Sequence, residues 1–199
     1  MIVIDEGFSH EIAWQSNLCF DDVDESTFLR EIGWVILSSG MKSKVVQKIF
    51  NNISTCFYNW KAANVIAKNE GRCFQEALRF FNNKSKISAI IDAAKKVQSF
   101  GFCKLKELIK KNPLEVLLGF KYIGPTTVYH LAKNIGLPFA KPDRHLKRIA
   151  ESENYYSVQD LCEDISKSCG DSVPVVDIVL WRFATIEPNY IKVLNSVKF

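Results

Sequence analysis

The spacing of apolar residues along this chain of 199 residues indicates helices rather than strands. Apolar side chains recur every three or four positions in most segments. The clearest case places five of them on one helical face: Ile87, Ile90, Ile91, Ala94 and Val97. Gly101 would end that helix. No segment alternates convincingly between apolar and polar residues, so we expect an all-α protein.

Similar spacing predicts the other helices and their ends. One begins after Ser26, and the others cover roughly 45–53, 61–68, 72–81, 85–100, 105–111, 114–118, 126–135, 143–150, 157–165, 172–183 and 188–197. Ser85 is a plausible N-cap, and Ser157 with Asp160 resembles a capping box. Residues 1–25 lack the pattern, and we expect them to be irregular and acidic.

Charge is distributed unevenly, although the net charge is only +4. Residues 1–31 hold eight acidic side chains and one basic one, whereas residues 82–111 hold eight lysines against two acids. Residues 117–150 hold six basic side chains and a single acid, Asp143. The pattern suits a protein with one surface that faces an anion. Lysines that simply cover solvated helix faces would give the same counts.

Cysteine usage and hydropathy indicate a reducing compartment. The six cysteines are scattered, several among apolar neighbours, and we interpret them as reduced, buried thiols. No apolar run reaches the length of a membrane span, and no signal peptide is visible. We therefore expect a cytoplasmic protein, associated with the nucleoid, or a nuclear one if the source is eukaryotic.

The turn at Ile123-Gly124-Pro125 and the downstream carboxylate of Asp143 bear most directly on function. Gly124 permits a tight turn, and Pro125 suits the first position of the next helix. Unpaired N–H groups from Thr126 onward would form a site for an anion such as a phosphate. Alone, the turn is more easily explained as an ordinary helix connection, and Asp143 as an N-cap.

Taken together, residues 118–149 resemble the helix–hairpin–helix (HhH-GPD) DNA glycosylase superfamily, which includes endonuclease III and 3-methyladenine glycosylase. There a hairpin of the form Leu-Pro-Gly-Val-Gly-x-x-Thr-Ala precedes, by one helix, a catalytic Asp in Val-Asp-x-His-Val-x-Arg. The corresponding segments here are Phe120-Lys-Tyr-Ile-Gly-Pro-Thr-Thr-Val128 and Pro142-Asp-Arg-His-Leu-Lys-Arg148. The resemblance implies a helical lobe over 27–136 that ends in the hairpin, and a second lobe of 1–26 with 137–199.

The resemblance also implies roles for individual residues. Asp143 would be the catalytic carboxylate, and His145 a structural hydrogen-bonding residue. Contacts to the DNA backbone would come from Tyr122, Gly124, Thr126, Thr127, Lys141, Arg144 and Lys147. Tyr122 occupies the position of the family's first hairpin glycine. A flipped base needs a pocket, and a wedge must fill the gap in the duplex; the candidates are Trp34, Trp60 and Tyr129 for the pocket and Met41 for the wedge.

Departures from the family restrict the chemistry. Thr126 stands where the bifunctional enzymes carry their Schiff-base lysine, so we expect no lyase activity. Cys162 and Cys169 have the first gap of the iron–sulfur loop, but no cysteine follows them, and we interpret both as structural. The zinc ligands of the 3-methyladenine branch have no counterparts. We expect no cofactor apart from a monovalent cation at the hairpin carbonyls.

The sequence thus predicts a monomeric, monofunctional DNA glycosylase that removes a damaged or modified base from double-stranded DNA by hydrolysis, as in base excision repair. The alternative is a non-catalytic helix–hairpin–helix DNA-binding protein, and a helical adaptor for other proteins is a third possibility. The sequence does not identify the base.

Overall fold

Residues 2–196, the part of the chain that the computed structural model describes, form helices joined by turns and short loops. The α-helices are α1 (Ser9–Ser16), α2 (Glu25–Ser38), α3 (Ser43–Cys56), α4 (Ala63–Lys68), α5 (Glu70–Phe80), α6 (Lys84–Phe100), α7 (Phe102–Lys111), α8 (Pro113–Leu118), α9 (Thr127–Asn134), α10 (Arg144–Ser152), α11 (Val158–Cys169), α12 (Val173–Ile186) and α13 (Tyr190–Ser196). No strand occurs in that range, which confirms the all-α class there. None of these helices is long and apolar enough to cross a membrane.

Local capping signals fix several helix ends. Asp24, rather than Ser26, caps α2 by accepting the Thr27 N–H at 2.7 Å. Asn83, rather than Ser85, caps α6 through the Lys86 N–H. The predicted Ser157 cap of α11 is confirmed, since its hydroxyl accepts the Asp160 N–H at 3.1 Å. Gly101 ends α6 with a positive φ of 74°, a conformation that favours glycine.

The larger of two compact units comprises Asp21–Ile135 and contains α2 to α9. Helix α2 lies at its centre and packs against α3, α6 and α9. Its side chains are buried on several faces, including Phe28, Ile32 and Ile36. Gly33 lets the Trp60 ring approach so closely that a Cβ there would lie 2.7 Å from it. The unit therefore consists of helices packed around one apolar helix.

The smaller unit combines Met1–Phe20 with Gly136–Phe199 and, where described, contains α1 and α10 to α13. Its core is formed by apolar side chains that include Leu146, Ile149, Leu161 and Val176. The N-terminal segment is held on α12 by an ion pair between Glu11 and Arg182. The Arg182 guanidinium also lies 4.2 Å from the centre of the Phe8 ring.

The prediction that residues 1–25 are irregular is wrong. A π-type turn over Ile4–Phe8 leads into α1, which packs against α12. A helix of eight residues is not stable alone in water and depends on such packing. The partners of this helix lie more than a hundred residues away in the sequence, so local periodicity gave no sign of it.

Candidate functional site

Residues 119–127, which we call the 119–127 turn, connect α8 to α9. Phe120 and Ile123 are buried and fix the turn in the core of the larger unit. The Ile123 N–H donates to the Phe120 carbonyl at 3.1 Å, which closes the chain reversal. Between these two anchors, Lys121 and Tyr122 are exposed. The turn is thus anchored by two buried side chains, and its tip is exposed to solvent.

The Thr127 hydroxyl stabilises the turn through two hydrogen bonds. Its oxygen accepts the Gly124 N–H at 2.6 Å and can donate to the Tyr122 carbonyl at 3.2 Å. The sequence suggested Thr127 as a contact to the DNA backbone. Because these bonds already occupy the hydroxyl, which shapes the turn, such a contact would have to come from the Thr127 N–H.

The start of α9 lacks a side-chain cap. Thr126 is the N-cap residue, and its hydroxyl accepts no hydrogen bond from the helix. Within residues 2–196, the N–H groups of Thr126 and Thr127 have no acceptor. Pro125 lies in the turn rather than at the first helical position, because Thr126 takes the N-cap. Donors left open at a helix start, at the positive end of its dipole, favour an anion.

A shallow hollow of about 430 Å³ adjoins these donors and is lined by Ser39 and residues 122–127. Gly124 has no positive φ, and a Cβ on it would meet only the Thr127 Oγ1, at 3.9 Å. Nothing within the folded chain therefore requires glycine at this position. Tyr122, in contrast, has a φ of 65°, a conformation that favours glycine and that costs other residues about 1–2 kcal/mol of conformational free energy.

Sequence reasoning missed a buried lysine next to the turn. Lys86 is only 4% exposed, and its ammonium donates to the carbonyls of Leu37 and Ser39, each at 2.6 Å. It lies 5.8 Å from the centre of the Tyr122 ring. Burial lowers the pKa of Lys86. The sequence indicated the burial of Lys86 by its position four residues before Ile90, on the apolar face of α6.

Asp143 is the N-cap of α10 in the smaller unit. Its Oδ1 accepts the N–H groups of His145 at 2.9 Å and Leu146 at 3.1 Å. No group in residues 2–196 bonds to Oδ2. One carboxylate oxygen is therefore fixed by the helix start, while the other is free to interact with a ligand or water. The expectation that Asp143 starts a helix is confirmed.

Basic side chains surround this carboxylate in sequence and share one face of α10. Arg144, Lys147 and Arg148 are exposed at positions that repeat every three or four residues. Lys141, in the preceding loop, is half-buried. His145 lies 3.3 Å from the Tyr190 hydroxyl and accepts from the Arg144 guanidinium at the same distance. This agrees with the hydrogen-bonding role expected for the histidine.

The predicted pocket aromatics lie in the larger unit and differ in accessibility. Trp60 is 2% exposed, stacks on Phe57 at 5.1 Å and donates to Ser54, so its ring is part of the core. It offers no open face for a base in this structure, contrary to its suggested role. Trp34 and Tyr129 are half-buried. Their assignment to a pocket stays a prediction.

Met41 follows α2 at the expected position and is half-buried. The preceding Gly40 has a φ of 68°, and the Met41 N–H donates to the Ser38 carbonyl at 3.0 Å. These contacts form the turn between α2 and α3. The role of Met41 as a wedge stays a prediction.

The cysteines only partly match the expectation of buried thiols. Cys56, Cys73 and Cys162 are buried, whereas Cys19, Cys103 and Cys169 are exposed. All six are free. Burial raises the pKa of the Cys73 thiol to about 11. Within residues 2–196, no three His, Cys, Asp or Glu side chains are placed to hold a metal ion.

The predicted site residues thus fall into two groups, one in each unit. The turn residues, the aromatic candidates and Met41 belong to the larger unit, while Lys141, Asp143, Arg144 and Lys147 belong to the smaller one. Comparison with known proteins adds no assignment, because no protein-family model matches this chain and no curated protein matches it.

Proposed function

We propose that this protein is a monofunctional DNA glycosylase that removes a damaged or modified base by hydrolysing its N-glycosidic bond. The observation that carries the proposal is the Asp143 carboxylate, which has one oxygen fixed by α10 and the other open. It stands at the start of a helix whose exposed face is basic. A fixed carboxylate beside phosphate-binding cations suits chemistry on a nucleic-acid sugar.

The reaction places specific demands on that carboxylate. As the bond between base and sugar breaks, positive charge develops on the sugar ring. A carboxylate held in place stabilises this charge and orients or activates the water that attacks the sugar. The hydrogen bonds at Oδ1 hold Asp143 in one orientation, so that Oδ2 carries out this role. The group need not reorganise during the reaction.

The 119–127 turn would bind the DNA backbone. Its open N–H groups at Thr126 and Thr127 suit a phosphate, and Gly124 leaves space for the phosphate to approach. The buried ammonium of Lys86 adds positive charge on the same side of the larger unit. Contacts of this kind position a protein on DNA without reading its sequence.

Lyase chemistry is not part of the proposal. Thr126 has no amine with which to form an imine with the sugar. The neighbouring amine, that of Lys121, forms an ion pair with Asp92 at 2.7 Å. An abasic site should therefore remain intact after the base is released.

The test is base release from duplexes that each carry one lesion: alkylated purines, oxidised guanine, uracil or thymine mispairs, and modified cytosines. We expect the wild type to release at least one base and to cleave the strand only after treatment with heat and alkali. Asp143→Asn should lower the rate at least about 100-fold, because the charge is lost. DNA binding should persist, since Asn also caps helices well.

Asp171→Asn, an exposed aspartate of the same unit, is the matched control and should retain activity. Full activity of Asp143→Asn would contradict the mechanism.

A non-catalytic DNA-binding protein is the second candidate. It is favoured by the hydrogen bonds of Asp143, which account for an aspartate at this position without any catalysis. In that case the protein would bind duplex DNA with a steep dependence on salt and would release no base from any lesion. Absence of DNA binding even at low salt would contradict both candidates.

A further inference from the structure

A buried carboxylate holds the loop that leads to Asp143. Asp177, on α12, is only 1% exposed and accepts the backbone N–H of Lys141 at 2.6 Å. The Lys141 carbonyl in turn accepts the Asp143 N–H at 2.7 Å. Two short hydrogen bonds therefore connect the interior of the smaller unit to the backbone of Asp143.

Gln159, on α11, holds the same loop at a second place. Its side-chain oxygen accepts the Ala140 N–H at 2.9 Å, and its amide nitrogen donates to the Pro138 carbonyl at 3.0 Å. Pro142 further restricts the loop, because its ring fixes φ. Residues 138–143 are thus bonded to two different helices just before Asp143.

The position of Asp177 within α12 is unusual. The helix begins Val-Pro-Val-Val-Asp-Ile-Val-Leu, and the four residues before the aspartate are buried apolar side chains. A buried carboxylate is expensive unless its hydrogen bonds are satisfied, and an apolar residue would pack there more easily. Hydrogen bonds from backbone N–H groups to a carboxylate are among the stronger ones. What this aspartate provides is a fixed position for the loop.

We propose that Asp177 and Gln159 are positioning residues for Asp143. They fix the loop 138–143 so that the Asp143 carboxylate keeps one orientation at the start of α10. The proposal rests on the proposed function, in which Asp143 is the catalytic group. A displacement of about 1 Å in such a group can lower a rate about 100-fold, even when the change lies outside the reacting atoms.

The first test is hydrogen exchange of the full-length chain, which needs no substrate. The relevant amides are those of His145 and Leu146, which Asp143 caps. In Asp177→Leu and in Gln159→Ala we expect them to exchange about tenfold faster or more, relative to amides in the middle of α11. Asp177→Asn keeps an acceptor oxygen and should restore most of the protection.

Leu161→Ala is the control for a general loss of stability, because Leu161 lies in the core of the same unit and its apolar side chain cannot form a hydrogen bond to the loop. It should speed exchange throughout the unit without a special effect at His145 and Leu146. If Asp177→Leu does not fold, Gln159→Ala decides alone, since Gln159 is only partly buried. Unchanged relative protection of the two amides in the folded variants would overturn the proposal.

The second test uses a lesion that the wild type processes. Under single turnover, the rate of base release should fall at least about tenfold in Gln159→Ala, while the Kd for the duplex stays within about twofold. A parallel loss of binding and rate would indicate a merely structural role and would overturn the proposal. If the wild type releases no base, the proposed function fails, whereas the exchange experiment still decides whether these residues position Asp143.

Discussion

The two helix starts that carry candidate residues, one in each unit, satisfy their N–H groups in opposite ways. At α10, the Asp143 carboxylate accepts two of these groups, those of His145 and Leu146. At α9, the Thr126 side chain accepts none, and two N–H groups stay open next to a hollow in the surface. One start presents a negative charge to a ligand, and the other presents hydrogen-bond donors.

In each unit, a buried carboxylate accepts a hydrogen bond from the segment next to the helix start: from α9 in the larger unit, and from the loop before α10 in the smaller one. Glu31, 3% exposed, accepts from the Asn134 side chain at the end of α9 at 2.9 Å. Asp177 does the same for the loop before α10 through the Lys141 N–H. Each unit thus contains a buried carboxylate that is hydrogen-bonded to a segment carrying candidate residues.

The largest effect is expected from Gly124→Ala, which should weaken binding to duplex DNA about tenfold, or roughly 1.4 kcal/mol. The added methyl group meets only the Thr127 Oγ1, at 3.9 Å, so the fold should persist while the approach of a phosphate is blocked. Fluorescence anisotropy at several salt concentrations measures the change. Gly71→Ala is a matched control, because no atom lies within 4 Å of that Cβ. Equal affinities of the two variants would exclude Gly124 from the interface.

Thr127→Val should lower the free energy of unfolding by about 1 kcal/mol, because the variant leaves the partly buried Gly124 N–H without its acceptor. Thr127→Ser retains the hydroxyl and should recover most of the loss. Denaturant unfolding measures both variants. If Thr127→Val is as stable as the wild type, the turn does not depend on the hydrogen bonds of the Thr127 hydroxyl.

Asp143→Ala should lower the free energy of unfolding by about 1 kcal/mol, the usual value for a lost N-cap, while Asp143→Asn should lower it only slightly. Thr126→Ala should change stability by almost nothing, because the Thr126 side chain caps no N–H group. Thermal unfolding of the three variants gives the comparison directly. A loss in Thr126→Ala as large as that in Asp143→Ala would show that the two helix starts are alike.

The smallest expected effect is a dependence on pH. Burial raises the pKa of the Glu31 carboxyl above its ordinary value of 4.5, although Arg30 and Asn134 oppose the shift. The folded state then binds more protons than the unfolded state just above pH 4.5. The contribution of Glu31 to stability is therefore full below that pH and is lost as pH rises through the raised pKa.

Glu31→Gln should remove this slope from the free energy of unfolding, measured by denaturant between about pH 4 and 7. Glu115→Gln, at an exposed position on α8, should leave the slope in place. Parallel curves for the wild type and Glu31→Gln would contradict the prediction.

Local sequence signals were sufficient for many features of the fold. The apolar face of α6, its end at Gly101 and the Ser157 cap all follow from residues within one or two turns of helix. The start of a helix at Asp143 follows in the same way. Such signals depend on neighbours in the chain, and the sequence displays those neighbours directly.

Features that depend on distant partners were not foreseen. Lys86 bonds to a carbonyl 49 residues away, and Asp177 bonds to an N–H 36 residues away. Trp60 lies in the core because its ring packs closely over Gly33 and stacks on Phe57. Helix α1 exists because α12 covers one of its faces. In each case the stability of a polar or aromatic group depends on its burial, and no short segment contains that information.

The sequence by itself determined the helical class, the turn around Gly124 and the placement of an aspartate at a helix start, since these features arise from backbone preferences and nearby side chains. Only the tertiary structure decided which groups are buried and held by distant partners. It brought the Lys86 ammonium to the carbonyls of Leu37 and Ser39, enclosed Trp60 in the core, and attached the loop before Asp143 to Asp177. The physical reason is that a hydrogen bond depends on where both of its partners lie in space.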